Sequence, residues 1–320
     1  MNTRVVRGRY APSPSGPLHL GNLRTALLAW LFARAAGGSF ILRIEDLDHP
    51  RARPGAVASM IDALRWLGLD WEEGPERSGV HGPYTQSQRT ALYEAALAQL
   101  RRGGLVYPCF CTRAELAHIA SAPHAGEGRS RYPGTCRTLS SRERQRRMRE
   151  GRQFSWRFRI PDDDIVFHDA LVGPLRESPA QTVGDIVVRR ADGVFAYQLA
   201  VVVDDGMMEV TQVVRGADLL ESTARQLALC AALGYRPPDS YAHVPLLSNA
   251  AGARLSKRDN ATGLAPLRQQ GRRPEAVVGW LAFTCGLAPS VSPVTASELV
   301  PGLRADAIRQ VNTTAMIYSP

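Results

Sequence analysis

One lysine stands out in this chain of 320 residues. The sequence contains 39 lysine and arginine residues, and every one except Lys257 is arginine. Lys257 lies in the segment ARLSKR, residues 253–258. A compact ammonium on a flexible stem suits the moving charge of a triphosphate, whereas a guanidinium prefers a fixed, two-pronged partner. The alternative is an ordinary exposed basic loop, but a lysine in so arginine-rich a chain favours contact with phosphate.

His19 is a second residue whose position indicates phosphate chemistry. It follows the turn-rich segment PSPSGP, residues 12–17, and precedes an apolar helical pattern. Backbone N–H groups at a helix N-terminus face a bound anion, and an imidazole can donate to the same anion. A lone histidine is more often structural, so His19 is a weak signal by itself. Because no lysine follows a glycine in the sequence, a P-loop NTPase is excluded.

Three of the five cysteines are spaced as metal ligands. Cys109 and Cys111 are followed, after 24 intervening residues, by Cys136, which gives one thiolate fewer than a tetrahedral site needs. His118 and His124 are candidates for the fourth ligand, and the alternative is three free thiols. Cys230 and Cys285 lie in apolar helical patterns and are predicted to be core residues.

The elements that must position these residues alternate between strands and helices. Strands are predicted over residues 5–11 and 39–44, and helices over 23–36 and 55–67, with Asn22 as the N-cap of the first helix. This order predicts an α/β fold with a parallel sheet, whose ligands lie beyond the carboxyl ends of the strands. Further along, helices are predicted over 89–102, 222–233 and from 274 onward, and strands near 165 and over 185–190, 196–203, 209–214 and 244–247.

The charge of the chain is concentrated in one stretch. The formal net charge is +9, and residues 129–159 alone contain eleven arginines against two glutamates. An excess of this kind favours a polyanion, most often nucleic acid, over a solvated helix face. The composition excludes a disordered chain, and no apolar run is long enough to cross a bilayer. The N-terminus lacks the features of a secretory signal, so a cytoplasmic protein is expected.

Five ordered segments resemble the class I glutamyl-tRNA synthetases. Residues 9–22 (RYAPSPSGPLHLGN) resemble the HIGH region of that family, and residues 254–258 (RLSKR) resemble its KMSKS loop. Between them, residues 43–48 (RIEDLD), 197–205 (YQLAVVVDD) and 214–220 (VRGADLL) match in the same order. The departures are Asn22 in place of the second histidine of HIGH, and arginines at the ends of the KMSKS-like segment.

The resemblance implies a Rossmann-type catalytic domain that activates L-glutamate with ATP, assisted by Mg²⁺. His19 and Lys257 would be the catalytic residues, stabilising charge on the leaving pyrophosphate. The residues implied for glutamate are Arg9, Ala11, Ser13, Glu45, Tyr197 and Arg215. The residues implied for ATP are His19, Gly21, Asn22, Ser256 and Lys257. For Arg215 and Glu45 the alternative is a structural ion pair.

Length distinguishes between branches of this family. Only 63 residues follow Lys257, too few for the helical anticodon-binding region of a full glutamyl-tRNA synthetase. The shorter architecture is similar to the glutamyl-queuosine tRNA(Asp) synthetases, which activate glutamate without tRNA and transfer it to queuosine in the anticodon arm of tRNA(Asp). One alternative is a glutamyl-tRNA synthetase whose anticodon-binding domain is missing from this sequence. Another is an RNA-binding paralogue that has lost catalysis.

The same resemblance implies one structural Zn²⁺, bound by Cys109, Cys111, Tyr132 and Cys136. It divides the chain into catalytic halves at residues 1–105 and 161–265, with a zinc-binding, arginine-rich insertion at 106–160 and a short helical region at 266–320. The arginine-rich stretch is expected to contact the tRNA backbone, which gives affinity that depends on salt. A monomer is expected.

Overall fold

The computed structural model describes residues 4–48, 53–77, 79–112, 114–116, 131–249, 263–303, 311 and 317–318. A six-stranded sheet organises the catalytic part, in the order β2-β1-β8-β9-β5-β6. All neighbouring strands in this sheet are parallel except the β5–β6 hairpin. Its strands are β1 Arg7–Tyr10, β2 Ser39–Leu42, β5 Ile165–Asp169, β6 Gly173–Glu177, β8 Gln212–Gly216 and β9 Ser240–Val244.

Two smaller sheets complete the strands of the described residues. An antiparallel sheet in the order β3-β4-β7 contains β3 Val106–Cys109, β4 Ser155–Phe158 and β7 Ile186–Arg189. Near the end of the chain, β10 Ser248–Asn249 pairs in parallel with β11 Ile317–Tyr318. Cys109 therefore lies at the end of a strand that belongs to the second sheet rather than to the catalytic sheet.

Ten α-helices are described in this part of the chain, and the longest one is central to the core. They are α1 Leu20–Ala35, α2 Ala56–Trp66, α3 Thr90–Arg102, α4 Ser141–Arg149, α5 Pro179–Thr182, α6 Tyr197–Met207, α7 Ser222–Leu233, α8 Leu264–Gln269, α9 Pro274–Thr284 and α10 Ala296–Leu299. Helix α1 packs on β1, β8 and α9 and is buried around most of its circumference. Burial of a leucine side chain contributes about 1.5–3 kcal/mol, so this apolar helix fixes the orientation of its own N-terminus.

Three predictions about elements were wrong in type or place. Residues 197–207 form helix α6 where a strand was predicted over 196–203, because Val201, Val202 and Val203 are buried on all sides and an apolar run has no diagnostic period. The N-cap of α1 is His19 rather than Asn22. The last strand of the large sheet ends at Val244, where the prediction began it.

The described helices include none that is long and apolar enough to cross a membrane.

Candidate active site and cysteine cluster

One cavity of about 560 Å³ lies beyond the carboxyl ends of β1, β2, β8 and β9. Strand β1 has β2 on one side and β8 on the other, so strand order reverses here, and such switch points are where ligands bind in open α/β sheets. Every residue predicted for glutamate or ATP that the structure describes lines this cavity. These residues are Arg9, Ala11, Ser13, His19, Gly21, Asn22, Glu45, Tyr197 and Arg215. Ser256 and Lys257 lie outside the described residues.

His19 is the N-cap of helix α1, whose first turn lines the cavity. Its Nδ1 accepts the backbone N–H of Asn22 at 3.3 Å, and the Asn22 side-chain oxygen accepts the backbone N–H of His19 at 3.3 Å. When Nδ1 accepts, the neutral ring carries its proton on Nε2, so Nε2 is a donor. Gly21 permits this arrangement, since a Cβ there would lie 3.0 Å from Cε1 of His19. The helix start thus combines an N-terminal dipole with an imidazole N–H, a combination suited to phosphate.

Buried charged side chains lie at the cavity wall and directly behind it. Arg43 is fully buried and donates to Asp205 at 2.6 Å and to Glu45 at 3.1 Å. Arg9, which is 4% exposed, lies 3.4 Å from the same Asp205 carboxylate. Burial raises the pKa of Asp205, but Arg43 and Arg9 outweigh it, so the pKa is lowered overall and the carboxylate is ionised. Arg43 therefore has three carboxylate partners, Asp204, Asp205 and Glu45, whereas Arg9 meets Asp205 at a longer distance. Of the two arginines, Arg9 lines the cavity and is the one that a ligand carboxylate can reach.

The pKa of Glu45 is shifted in the opposite direction from that of Asp205. Burial raises its pKa, and the attraction of Arg43 and Arg9 does not fully compensate. The ionised carboxylate therefore lacks part of the counter-charge that it needs, and a ligand ammonium would supply it. Tyr197 is the first residue of α6, and burial raises the pKa of its phenol, so Tyr197 can donate a neutral hydrogen bond.

Arg215 projects from β8 into the same cavity and is held by neutral acceptors. It donates to His243 Nε2 at 2.9 Å, to Gln226 Oε1 at 2.8 Å and to Thr223 Oγ1 at 2.9 Å. Within the described residues Arg215 makes no ion pair. The structural ion pair considered as an alternative for Arg215 is therefore not found among them, whereas for Glu45 an ion pair with Arg43 is present.

The three spaced cysteines come together at the end of β3, where Cys111 and Cys136 lie in loops beside the second sheet. The Sγ atoms of Cys109, Cys111 and Cys136 all lie within 4.8 Å of one another, a cluster that could bind one metal ion. The Tyr132 hydroxyl lies 3.3 Å from Cys109 Sγ and accepts the backbone N–H of Cys136 at 2.9 Å. A hydrogen bond from Cys136 lowers the pKa of Cys109, which favours a thiolate in the cluster. His118 and His124 lie outside the described residues.

Much of the arginine excess near this cluster has structural partners. Arg157 is buried, with its guanidinium 3.8 Å from the centre of the Tyr132 ring, and Arg137 pairs with Asp185 at 2.7 Å. On the exposed helix α4, Arg146 pairs with Glu143 and Glu150, at 2.7 Å each. Four arginines of this stretch are exposed and form no ion pair with another described residue: Arg131, Arg142, Arg149 and Arg152.

Several residues of the site were not singled out from the sequence. Arg43 and Asp205 belong to segments that match the family, but the sequence analysis assigned them no role. A charged residue next to an apolar strand or helix was the feature that could have marked them. His243 and Asp169 had no such signal, because they meet only through the parallel pairing of β5 with β9.

Comparisons with known proteins agree with the fold. The family model for class I tRNA synthetases (E and Q), catalytic domain, matches residues 5–297. The Glutamyl-Q tRNA(Asp) synthetase of Symbiobacterium thermophilum is 56% identical over 93% of this chain and 92% of its own length. The protein of the same name from Nitratidesulfovibrio vulgaris is 50% identical over 92% and 91%.

Among solved structures, a glutamate tRNA ligase from Elizabethkingia meningosepticum, crystallised in complex with its amino acid, matches with a TM-score of 0.85 and 32% identity. The match covers 99% of this chain and 67% of that chain. The prediction of an α/β synthetase catalytic domain with a parallel sheet is confirmed. The chain belongs to the class I tRNA synthetases (E and Q) and is a ligase of that family.

Proposed function

We propose that this protein activates L-glutamate with ATP, without tRNA, and transfers the glutamyl group to queuosine in the anticodon of tRNA(Asp). The observation that carries the proposal is the cavity itself, in which Arg9 and Arg215 offer cations, Glu45 offers an acid and His19 caps the entering helix. This set is complementary to an amino acid with two carboxylates and one ammonium, placed beside a triphosphate.

The relatives support the choice of acceptor. The two relatives that are named Glutamyl-Q tRNA(Asp) synthetase align with this chain over 92% and 91% of their own length. The glutamate tRNA ligase of known structure aligns over 67% of its length. Transfer to tRNA(Glu) is the competing outcome, and the assay below decides between the two.

In the first step, a glutamate carboxylate oxygen attacks the α-phosphorus of ATP. A new P–O bond forms, the bond to the bridging oxygen breaks, and pyrophosphate leaves with the electron pair. We infer that His19 Nε2–H and the Lys257 ammonium stabilise that developing charge, and Mg²⁺ bound with ATP would neutralise phosphate charge. In the second step a hydroxyl of queuosine attacks the activated carbonyl, loses its proton, and AMP departs.

The cysteine cluster fits one structural Zn²⁺. With bonds of about 2.3 Å, a tetrahedral zinc site places its sulfur ligands about 3.8 Å apart. Cys111 Sγ and Cys136 Sγ are separated by 3.7 Å, and the Tyr132 hydroxyl adjoins the third sulfur. When bound, zinc would fix the loop after β3 against residues 132–136. We also propose catalytic halves at 1–105 and 161–265, a zinc-binding, arginine-rich insertion at 106–160 and a short helical region at 266–320.

The exposed, unpaired arginines of the insertion are proposed to contact the backbone of the tRNA(Asp) anticodon arm. Arg142 and Arg149 on α4 offer such contacts without base specificity. We also propose that the protein acts as a monomer in the cytoplasm.

Two reactions test the proposed function. ATP–pyrophosphate exchange with glutamate and no RNA is expected, and a strict requirement for tRNA(Glu) would contradict the proposal. Acylation with labelled glutamate is expected for tRNA(Asp) that contains queuosine and not for the unmodified transcript. Label on unmodified tRNA(Asp) or on tRNA(Glu) instead would overturn the choice of acceptor. Lys257→Ala is expected to abolish exchange; unchanged exchange would remove Lys257 from the mechanism.

A further inference from the structure

Arg215 is a buried cation whose hydrogen-bond partners carry no formal charge. It is 4% exposed, and its three bonds to His243, Gln226 and Thr223 use Nε and one N–H on each terminal nitrogen. Each terminal nitrogen therefore keeps one further N–H. A guanidinium in this state is oriented but not neutralised, so a carboxylate entering the cavity finds both a fixed direction and an unspent charge.

The orientation depends on which nitrogen of His243 carries the proton. His243 Nε2 lies 2.9 Å from Arg215 Nε, which can only donate, so Nε2 must be the acceptor. The proton then lies on Nδ1, which is 2.7 Å from Asp169 Oδ2. Asp169 is itself fixed by backbone N–H groups of Leu171 and Val172, at 2.9 and 3.0 Å. The chain of bonds runs in one direction, from Arg215 through His243 to Asp169.

The surroundings oppose a second proton on His243. Burial lowers the pKa of His243, the Asp169 carboxylate raises it, and the charges of Arg215 and Arg9 lower it again, so that it is lowered overall. The Tyr241 ring lies nearly parallel to the imidazole, with the ring centroids 6.5 Å apart and an interplanar angle of 5°. Asp169 is 0% exposed and His243 is 1% exposed, so water does not compete for these bonds.

We propose that His243 and Asp169 are positioning residues for the substrate carboxylate. Asp169 fixes the neutral Nδ1–H form of His243, whose Nε2 lone pair aims Arg215 at a carboxylate of glutamate without cancelling its charge. An acid in place of His243 would hold Arg215 as firmly but would compete with the substrate for it. This role rests on the proposed function, because it assigns the carboxylate to glutamate.

The kinetic test compares two substitutions of the same histidine. Glutamine presents an N–H toward Asp169 and a C=O toward Arg215, whereas leucine presents neither. His243→Leu is expected to raise KM for glutamate about 10- to 100-fold, with KM for ATP within about two-fold of wild type. His243→Gln is expected to recover most of that loss. Tyr241→Phe, which keeps the stacked ring, is the matched control and should behave like wild type.

A spectroscopic test on the unmutated protein does not depend on activity. The ¹⁵N shifts of His243, assigned by their absence from His243→Gln, should show a protonated Nδ1 and a bare Nε2. An Nε2–H form of His243 would overturn the inference. So would an equal rise in KM for glutamate and for ATP in His243→Leu, or a KM for glutamate in His243→Gln that is as high as in His243→Leu. If wild type performs no glutamate-dependent exchange while the ¹⁵N shifts are as expected, the proposed function fails and the tautomer assignment stands.

Discussion

Glu45→Gln removes one negative charge from the cavity while keeping the size of the side chain. The Glu45 side chain is 8% exposed and accepts a hydrogen bond from Arg43 at 3.1 Å. Its pKa is raised because burial outweighs the attraction of Arg43 and Arg9. Ionised Glu45 is therefore incompletely compensated in the free protein, and the ammonium of glutamate is the charge that would complete it.

The expected loss follows from one charge-assisted hydrogen bond. Such bonds contribute about 1.5–3 kcal/mol, so KM for glutamate should rise about 10- to 100-fold. KM for ATP should not change, because the proposed phosphate contacts are made by His19 and the N-terminus of α1 and not by Glu45. In wild type, glutamate binding should weaken as pH falls through the raised pKa of Glu45, and the variant should lack that dependence.

Glu45→Gln should not lower the stability of the free protein, although it weakens glutamate binding. A carboxyl whose pKa is raised by folding stabilises the fold at low pH, and this contribution is lost as pH rises through the raised pKa. Glutamine mimics the protonated form at every pH. The free Glu45→Gln protein should therefore have a Tm at neutral pH equal to or above that of wild type.

Glutamate-dependent pyrophosphate exchange measures both KM values, and inhibition by glutarate, which lacks the ammonium, isolates its contribution. Wild type should prefer glutamate to glutarate, and Glu45→Gln should bind the two about equally. Glu177→Gln is a matched control, because burial also raises the pKa of Glu177 and it lies in β6, away from the cavity. An unchanged preference, or a lowered Tm with both KM values raised, would make Glu45 a structural partner of Arg43.

Three further variants test other parts of the structure. Arg43→Met should lower the free energy of unfolding by about 3–5 kcal/mol in denaturant titrations, since buried carboxylates lose their cation. That difference should shrink on acidification, because Arg43 helps to lower the pKa of Asp205; a cost that is independent of pH would contradict this. Cys136→Ser should reduce bound zinc, measured by elemental analysis, and lower Tm; full metal content would remove this residue from the ligands. Arg142→Gln combined with Arg149→Gln should reduce the salt dependence of tRNA binding. The slope of log K against log salt concentration should become shallower by up to about 0.9 per lost phosphate contact, with ATP–pyrophosphate exchange unchanged.

Local sequence was sufficient wherever a motif and its element are continuous. Residues 9–22 predicted a strand, a turn and a helix start, and all of its site residues face one cavity. The cap was misassigned because Asn22 and His19 bond reciprocally, and the asparagine preference at N-caps concealed the histidine. The run VVVDD was misread because β-branched residues that are fully buried suit a strand as well as a helix.

Sequence could not reveal relationships that exist only after distant strands pair. The contact of Asp169 with His243 joins residues 74 positions apart, and neither residue has a neighbour that marks it. The arginine-rich stretch shows a related limit. Its composition predicted contact with a polyanion but not which arginines are occupied within the fold, whereas the structure stacks Arg157 on Tyr132 and pairs Arg137 with Asp185.

The pairing of β1 with β8 has a consequence for synthesis of the chain. Gly8 aligns with Gln212, so one edge of the first strand has no partner until more than two hundred residues have been translated. Parallel pairing across such a separation closes late in folding, and an open strand edge invites association with other chains. Until residue 212 has been translated, this edge of β1 is therefore an open strand edge of the growing chain.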